Sequence, residues 1–183
     1  KTLKVSTTRQ DWCGHVYLQY NLDGDRYNVK QYSYFEKEGD KTITIPSVHL
    51  EDEIWTRIRI APETLPIGDV KMIPGSFFTT LRMIDIGEEK AVAELINKKE
   101  GERGDVSLYT VTYPSLRRTL SIRFNRYFPH DILSWSETYP SGSGKNAEVL
   151  TTNARRTHAV VMDYWNKNSV KDIELRKELG LPR

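Results

Sequence analysis

Cys13 and His15 place a thiol and an imidazole two positions apart near the start of the chain. A cysteine beside a general base is the pattern of a thiol nucleophile, and a carboxylate from residues 51–53 could orient that base. Residues 13 and 15 also share one face of an extended strand, where they could simply pack. We favour packing, so Cys13, His15 and Glu51 are candidate catalytic residues only in the alternative hypothesis of a hydrolase of unknown substrate.

The pattern of possible metal ligands predicts neither a metal nor a cofactor. Cys13 is the single cysteine, and a closed zinc site needs more ligands than this short segment supplies. The four histidines lie in different segments, and none belongs to a two-histidine helical motif. Glu51, Asp52 and Glu53 could act together in acid-base chemistry, but three acids in the first turn of a helix are already favoured by its dipole.

Arginines are the candidates for binding an anionic group. Arg57, Arg59 and Arg82 could contact a phosphate or head group, as could the pairs at 117–118 and 155–156. We interpret the pairs as solvent-facing side chains at strand ends, and we retain Arg82 as a ligand-binding candidate. Residues 141–145 lack the spacing of a phosphate-binding loop, so we interpret them as part of a linker.

Aromatic side chains are the most suggestive feature of the sequence. Strands with aromatic residues on both faces are expected where one face lines a core and the other lines a groove for an apolar ligand. The alternative is that both faces are covered by other parts of the protein. The residues that we predict to contact a ligand, besides Arg82, are Trp12, Tyr17, Tyr32, Tyr34 and Trp55.

Period-two alternation predicts the strands that must position these residues. Val16, Leu18 and Tyr20 share one face of a strand, and the turn that contains Asp23 and Gly24 predicts a hairpin. Further strands are predicted at residues 25–37, 42–45, 69–73, 77–86, 90–97, 106–113, 119–125, 131–139 and 157–163. About ten strands joined by short turns describe an antiparallel meander that must curl.

Two segments have helical character. Leu50, Ile54 and Ile58 recur every four residues, with acids at the start and arginines at the end, and predict a short central helix. Residues 169–179, with Ser169 at the N-cap and Asp172 three residues on, predict a C-terminal helix. The sequence therefore predicts a mainly β fold, a single curved antiparallel meander in the form of an open or half barrel, whose open side helices can cover.

Length and composition restrict the classes of protein. A chain of 183 residues favours one domain over residues 1–183, and because it starts at Lys1 without methionine we expect missing N-terminal residues. The formal net charge of +2 arises from interspersed basic and acidic residues, which argues against nucleic acid as a partner. No apolar run is long enough for a transmembrane helix, so we expect contact with a membrane only at its surface or through an anchor in the missing N-terminus.

Three segments carry a family resemblance: DWCGHVYLQYNLDGDRYNVKQYSYFEKEGD, LEDEIWTRIRIAPETLPIGDVKMIPG and RRTHAVVMDYWNKNS. They resemble an uncharacterised family of exported bacterial proteins, sometimes labelled septum formation inhibitor Maf. That label implies a nucleotide pyrophosphatase, whose Ser-Pro-Arg-Arg motif the sequence lacks. The resemblance implies the periplasm or cell envelope. In general shape the expected meander is also similar to the open β-barrel of bacterial lipoprotein carriers.

The sequence thus predicts a non-enzymatic bacterial envelope protein that binds an apolar or amphipathic ligand. A lipid-like small molecule is the expected partner. Besides the hydrolase, a structural or partner-binding module is an alternative, expected if the aromatic face is flat and matches a missing part of the protein.

Overall fold

The computed structural model describes residues 1–99, 104–142 and 144–182, and its strands form two sheets. The four-stranded sheet has the order β1 (Lys4–Asp11), β2 (Gly14–Asp23), β3 (Arg26–Ser33) and β4 (Lys41–Pro46). The seven-stranded sheet consists of β5 (His49–Leu50), β6 (Gly68–Ile73), β7 (Glu89–Lys99), β8 (Asp105–Tyr113), β9 (Arg118–Asn125), β10 (Ile132–Ser141) and β11 (Glu148–Arg155), hydrogen-bonded in that order. The expectation of a mainly β, open antiparallel fold is confirmed.

The strands divide between two sheets at Pro46, where we had expected one meander. Proline has no N–H for a sheet ladder, so β4 ends there. The chain then enters the two-residue strand β5, which pairs in parallel with β6 instead of continuing the first sheet. Leu50 and Ile73, which pair in that ladder, also belong to the apolar core of the four-stranded sheet. The two sheets therefore share side chains across the break.

Two α-helices lie among the described residues, α1 (Glu51–Ile60) and α2 (Ser76–Arg82). The central helix α1 is confirmed, and its Ile54 and Ile58 are fully buried against the seven-stranded sheet. Short 3-10 helices span Pro62–Thr64, Gly144–Asn146 and Tyr164–Asn166, and a longer one spans Val170–Leu179. None of the helices in the described ranges is both long and apolar enough to cross a lipid bilayer.

The strand that we predicted at residues 77–86 is wrong, because α2 lies there. Phe77, Phe78 and the threonines that follow favour a strand locally. The Asp52 carboxylate accepts hydrogen bonds from the N–H and hydroxyl of Ser76, so a distant segment satisfies donors at the first residue of the helix.

The C-terminal region differs from the prediction in two places. Residues 157–161 form no regular structure, so the strand predicted at 157–163 is wrong. The last strand, β11, lies earlier, in a segment for which the sequence predicts no strand. The C-terminal helix is present as a 3-10 helix with the expected capping box of Ser169 and Asp172. It buries no side chain, so it does not cover the open side of the sheet as α1 does.

Aromatic residues occupy much of the interior. Tyr20 and Tyr27 are buried in the four-stranded sheet with their rings edge to face, 6.1 Å apart between centroids. The core of the seven-stranded sheet contains Tyr109, Tyr113 and Phe124, which are also buried. The alternation on β2 is confirmed, since Val16, Leu18 and Tyr20 are buried while Tyr17 and Gln19 are only partly buried.

Candidate functional site

The candidate site is the inner face of the seven-stranded sheet near β10 and β11, beside the two α-helices. Trp135, Glu137 and Tyr139 alternate along β10 and point toward the helices, because their side chains contact α1, Arg118 and α2 respectively. The register places Leu150, Thr152 and Ala154 of β11 opposite them on the same face. We call these six residues the open end.

The open end is uncovered compared with the centre of the sheet. Every second residue of β8 and β9 is buried beneath α1 and its neighbours, whereas each residue of β10 is only partly buried. All residues of β11 except Ala154 are exposed, and Leu150 is 53% exposed. An aromatic and aliphatic surface is therefore accessible where the helices end.

Two edge-to-face aromatic pairs line the boundary between the helices and the open end. Trp55 of α1 meets Trp135 at 6.2 Å between ring centroids, and Phe78 of α2 meets Tyr139 at 5.2 Å. The Arg82 guanidinium lies 5.6 Å from the centre of the Tyr139 ring and donates to the carbonyl of Gly142 at 3.2 Å. The site thus combines apolar walls with one cation at its rim.

A buried ion-pair network lies directly beneath these aromatic residues. Both terminal nitrogens of Arg118 donate to Glu51, at 2.5 and 2.7 Å, and its Nε donates to Glu137 at 2.6 Å. The guanidinium lies over the Phe78 ring at 4.3 Å and near the Tyr113 ring at 5.4 Å. This network joins α1, β9 and β10, and it holds α2 through the ring of Phe78.

Arg118 corrects our interpretation of the arginine pair at 117–118 as solvent-facing. Its side chain is only 2% exposed, while Arg117 points to solvent. Burial alone would lower the pKa of Arg118, but the hydrogen bonds and charges of Glu51 and Glu137 raise it above its usual value. The alternation on β9, in which Arg118 shares the inward face with Leu120 and Ile122, was the signal for this placement.

Each of the three acids at the start of α1 has a different partner. Glu51 binds Arg118, while Asp52 accepts from the Ser76 N–H at 3.0 and 3.2 Å and from the Ser76 hydroxyl at 2.9 Å. Glu53 accepts from Arg57 at 2.8 Å. Three separate structural contacts, in addition to the helix dipole, therefore account for this acidic run.

Asp52 lies at the junction of α1 and α2, where its carboxyl group is desolvated. Burial raises its pKa to about 6, although the hydrogen bonds from Ser76 act in the opposite direction. The charge of Asp52 in turn adds to burial in raising the pKa of Tyr20, whose hydroxyl has no hydrogen-bond partner among the described residues. The junction between α1, α2 and the four-stranded sheet is therefore sensitive to the protonation of one group.

The structure does not bring the three catalytic candidates together. Cys13 and His15 are exposed at the hairpin between β1 and β2, and the Cys13 N–H donates to Asp11 Oδ1 at 2.8 Å. Glu51 is buried, with both carboxylate oxygens bound to Arg118. Within the described ranges no cluster of three or more histidine, cysteine or acidic side chains could hold a metal ion.

The predicted ligand-binding residues fall into two groups. Trp55 and Arg82 lie beside the open end, where Trp135, Tyr139 and Phe78, which we had not selected, join them. The other group lies on the four-stranded sheet: Tyr17 and Tyr32 contact each other at 6.1 Å on its outward face, Trp12 is fully exposed in the hairpin turn, and Tyr34 is 75% exposed near Gly14.

A separate cleft of about 580 Å³ lies at the start of α1 and has a different character. Its lining includes His49, Glu53, Arg57, Asp69 and Lys71. Glu53 is bound to Arg57 and lies 3.6 Å from His49 Nδ1, so the charges of this cleft are largely paired. Such a lining suits an apolar ligand less well than the open end does.

Comparisons with models of protein families, with curated proteins and with solved structures give no match.

Proposed function

We propose that this chain is a non-enzymatic protein of the bacterial envelope that holds an apolar or amphipathic ligand against the open end. The observation that carries the proposal is that the aromatic side chains of β10 are only partly buried, beside Trp55 and Phe78, and that the neighbouring strand β11 is exposed. Apolar surface that a fold leaves accessible next to its core is a common feature of binding sites. The envelope location rests on the sequence resemblance.

The polar groups at the site favour an amphipathic ligand with an anionic head. Arg82 lies at the rim, on the Tyr139 ring, while Trp135 and Leu150 offer apolar area along the sheet. A chain lying across the strands would contact the tryptophan and the leucine, and its head group would reach the guanidinium. A carboxylate or phosphate would accept the strong hydrogen bonds that a guanidinium donates.

The hydrolase alternative has less support from the same geometry. Its carboxylate, Glu51, is engaged by a buried arginine, and its thiol is exposed at a hairpin without a contact to His15 among the hydrogen bonds of the described residues. A nucleophile needs a base within hydrogen-bond reach, usually one that a third group orients.

The direct test is a titration that measures the binding of a fluorescent fatty acid. We expect Trp135→Ala to weaken binding by roughly tenfold or more, because an aromatic side chain at the centre of a site typically contributes over 1 kcal/mol. Trp12→Ala is the matched control, because it removes a tryptophan that is exposed away from the site. The proposal fails if the protein takes up no fatty acid, or if the two variants bind it equally well.

A second pair of probes tests the head group. Arg82→Gln should weaken binding of the fatty acid while leaving binding of the uncharged alcohol of equal chain length nearly unchanged. A loss of both probes to the same extent, with an unchanged melting temperature, would contradict the assignment of Arg82 to the head group.

A further inference from the structure

β11 is the unprotected edge of the seven-stranded sheet. It runs for eight residues in unbroken register with β10, its sequence has no proline or lysine, and seven of its residues are exposed. Long regular edges of this kind can pair with another strand. The other edges of the described sheets are blunted: β5 has two residues, β4 begins with Lys41 and ends with Pro46, and β1 begins with Lys4 and contacts α2 through Thr7 and Arg9.

The pairing with β10 determines which backbone groups of β11 face outward. The Arg156 N–H donates to the carbonyl of Leu133 at 2.9 Å, one step beyond the opposed pair Arg155 and Ser134. Hydrogen-bonded pairs recur at every second residue of an antiparallel ladder. The even-numbered residues of β11 therefore bond to β10. The N–H and C=O groups of Val149, Thr151, Asn153 and Arg155 point away from the sheet.

We propose that β11 pairs antiparallel with β11 of a second copy of this chain, joining two seven-stranded sheets edge to edge. A two-fold axis normal to the sheet keeps the inner faces of both copies on the same side. Odd-numbered residues of β11 therefore pair with odd-numbered residues of the second copy, and even-numbered with even-numbered. With Thr152 opposite Thr152 of the second copy, Thr151 meets Asn153 and Val149 meets Arg155. Each of these pairs forms two hydrogen bonds, which engages every outward group of both strands.

Charge favours a second copy in this orientation. β11 begins with Glu148, ends at Arg155 and is followed by Arg156, so it is acidic at one end and basic at the other. Antiparallel pairing in the proposed register places Glu148 opposite Arg156 of the second copy at both ends of the interface. Arg156 already binds Asp131 at 2.9 Å, so Glu148 would join an existing ion pair. Parallel pairing would bring like charges together, which is unfavourable.

Sedimentation of the chain over micromolar to millimolar concentrations tests the association. We expect a monomer–dimer equilibrium in which Asn153→Pro raises the dissociation constant on the order of tenfold or more, because it removes two central outward donors per dimer. Asn153→Ala is the matched control, since it keeps the backbone N–H. A monomer at all concentrations, or equal association of the two variants, would overturn the proposal.

Cross-linking tests the register independently, in a Cys13→Ser background that removes the native cysteine. Thr152→Cys places two thiols across the axis at a non-hydrogen-bonded pair, where Cα atoms lie about 4.5 Å apart and a disulfide can form. We expect rapid formation of a disulfide dimer by Thr152→Cys and little by Thr151→Cys, whose thiol faces Asn153. Equal cross-linking of both variants, or none, would show that the strands do not pair in this way.

Discussion

The carboxylate of Glu51 binds the guanidinium of Arg118 through two hydrogen bonds of 2.5 and 2.7 Å, across 67 positions of sequence and inside the core. This contact fixes the start of α1 on β9. Glu137 of β10 shares the same guanidinium, so the ion pair also orients the strand that begins the open end. The helix and the proposed binding surface are therefore mechanically linked.

Loss of Arg118 should destabilise the fold strongly. Arg118→Ala leaves Glu51 buried without its partner, and breaking a buried pair in this way typically costs about 3 to 5 kcal/mol. Urea unfolding should show this decrease in the free energy of unfolding. Arg117→Ala, at the neighbouring exposed position, should change it by less than about 0.5 kcal/mol. Similar values for the two variants would mean that the ion pair contributes little.

The ion pair between Glu51 and Arg118 leaves no room for a side chain at position 75, which is glycine. A Cβ atom at this position would lie 2.5 Å from Glu51 Oε1, so Gly75→Ala must displace the carboxylate or the start of α2. We expect a loss of about 1 to 3 kcal/mol in the free energy of unfolding, as for other overpacked sites. Gly87→Ala is the control, because its Cβ would meet no atom within 4 Å. That variant should be neutral or slightly stabilised, and a similar loss in both would contradict the steric explanation.

Asp52 should make stability depend on pH in a specific direction. Its pKa in the folded protein, about 6, lies above the ordinary value of 3.8, so the fold favours the protonated form. The stabilisation that results is fully present below the pKa of Asp52 in the unfolded chain. It is lost as the pH rises through the pKa of Asp52 in the folded protein. Asp52→Asn cannot ionise and should lack this loss.

The measurement is the difference in unfolding free energy between Asp52→Asn and the wild type at several pH values. Relative to the wild type, the variant should gain roughly 2 to 3 kcal/mol between about pH 4 and about pH 7. Because the two proteins contain the same other titratable groups, the contributions of those groups cancel when the two free energies of unfolding are subtracted. A constant difference, or one of the opposite sign, would contradict the placement of Asp52 in a desolvated junction.

Cys13 should be chemically accessible and functionally dispensable. Its side chain is exposed in the hairpin turn, so a thiol reagent should modify the native protein without denaturant. Alkylation, or the Cys13→Ser variant, should leave fatty acid binding and the melting temperature unchanged. Loss of ligand binding after alkylation would place the site near the hairpin instead of the open end.

Local patterns predicted the parts of the fold that depend on local physics. Alternation in β2 gave the buried faces of Val16 and Leu18 correctly, and the four-residue repeat of Ile54 and Ile58 located α1. The segment of α2 has strand-forming residues, and its first residue, Ser76, is hydrogen-bonded to Asp52, which lies 24 positions earlier. No local pattern contains that contact.

The candidate site was predictable only in part for the same reason. Trp55 and Arg82 were selected for residue type, yet they lie at the site because Trp135 and Tyr139 arrive from a strand more than fifty positions later. Arg118 was the informative error, since adjacent arginines usually remain in solvent. The carboxylates of Glu51 and Glu137, together with the ring of Phe78, make its burial favourable.

The most direct test of the proposed function is native mass spectrometry of the protein purified from its own host. The wild type should carry a bound species with the mass of an acyl-chain amphiphile, and Trp135→Ala purified in parallel should carry much less of it. Clean spectra of the unliganded wild type in repeated preparations, or equal loading of Trp135→Ala and Trp12→Ala, would contradict binding at the open end.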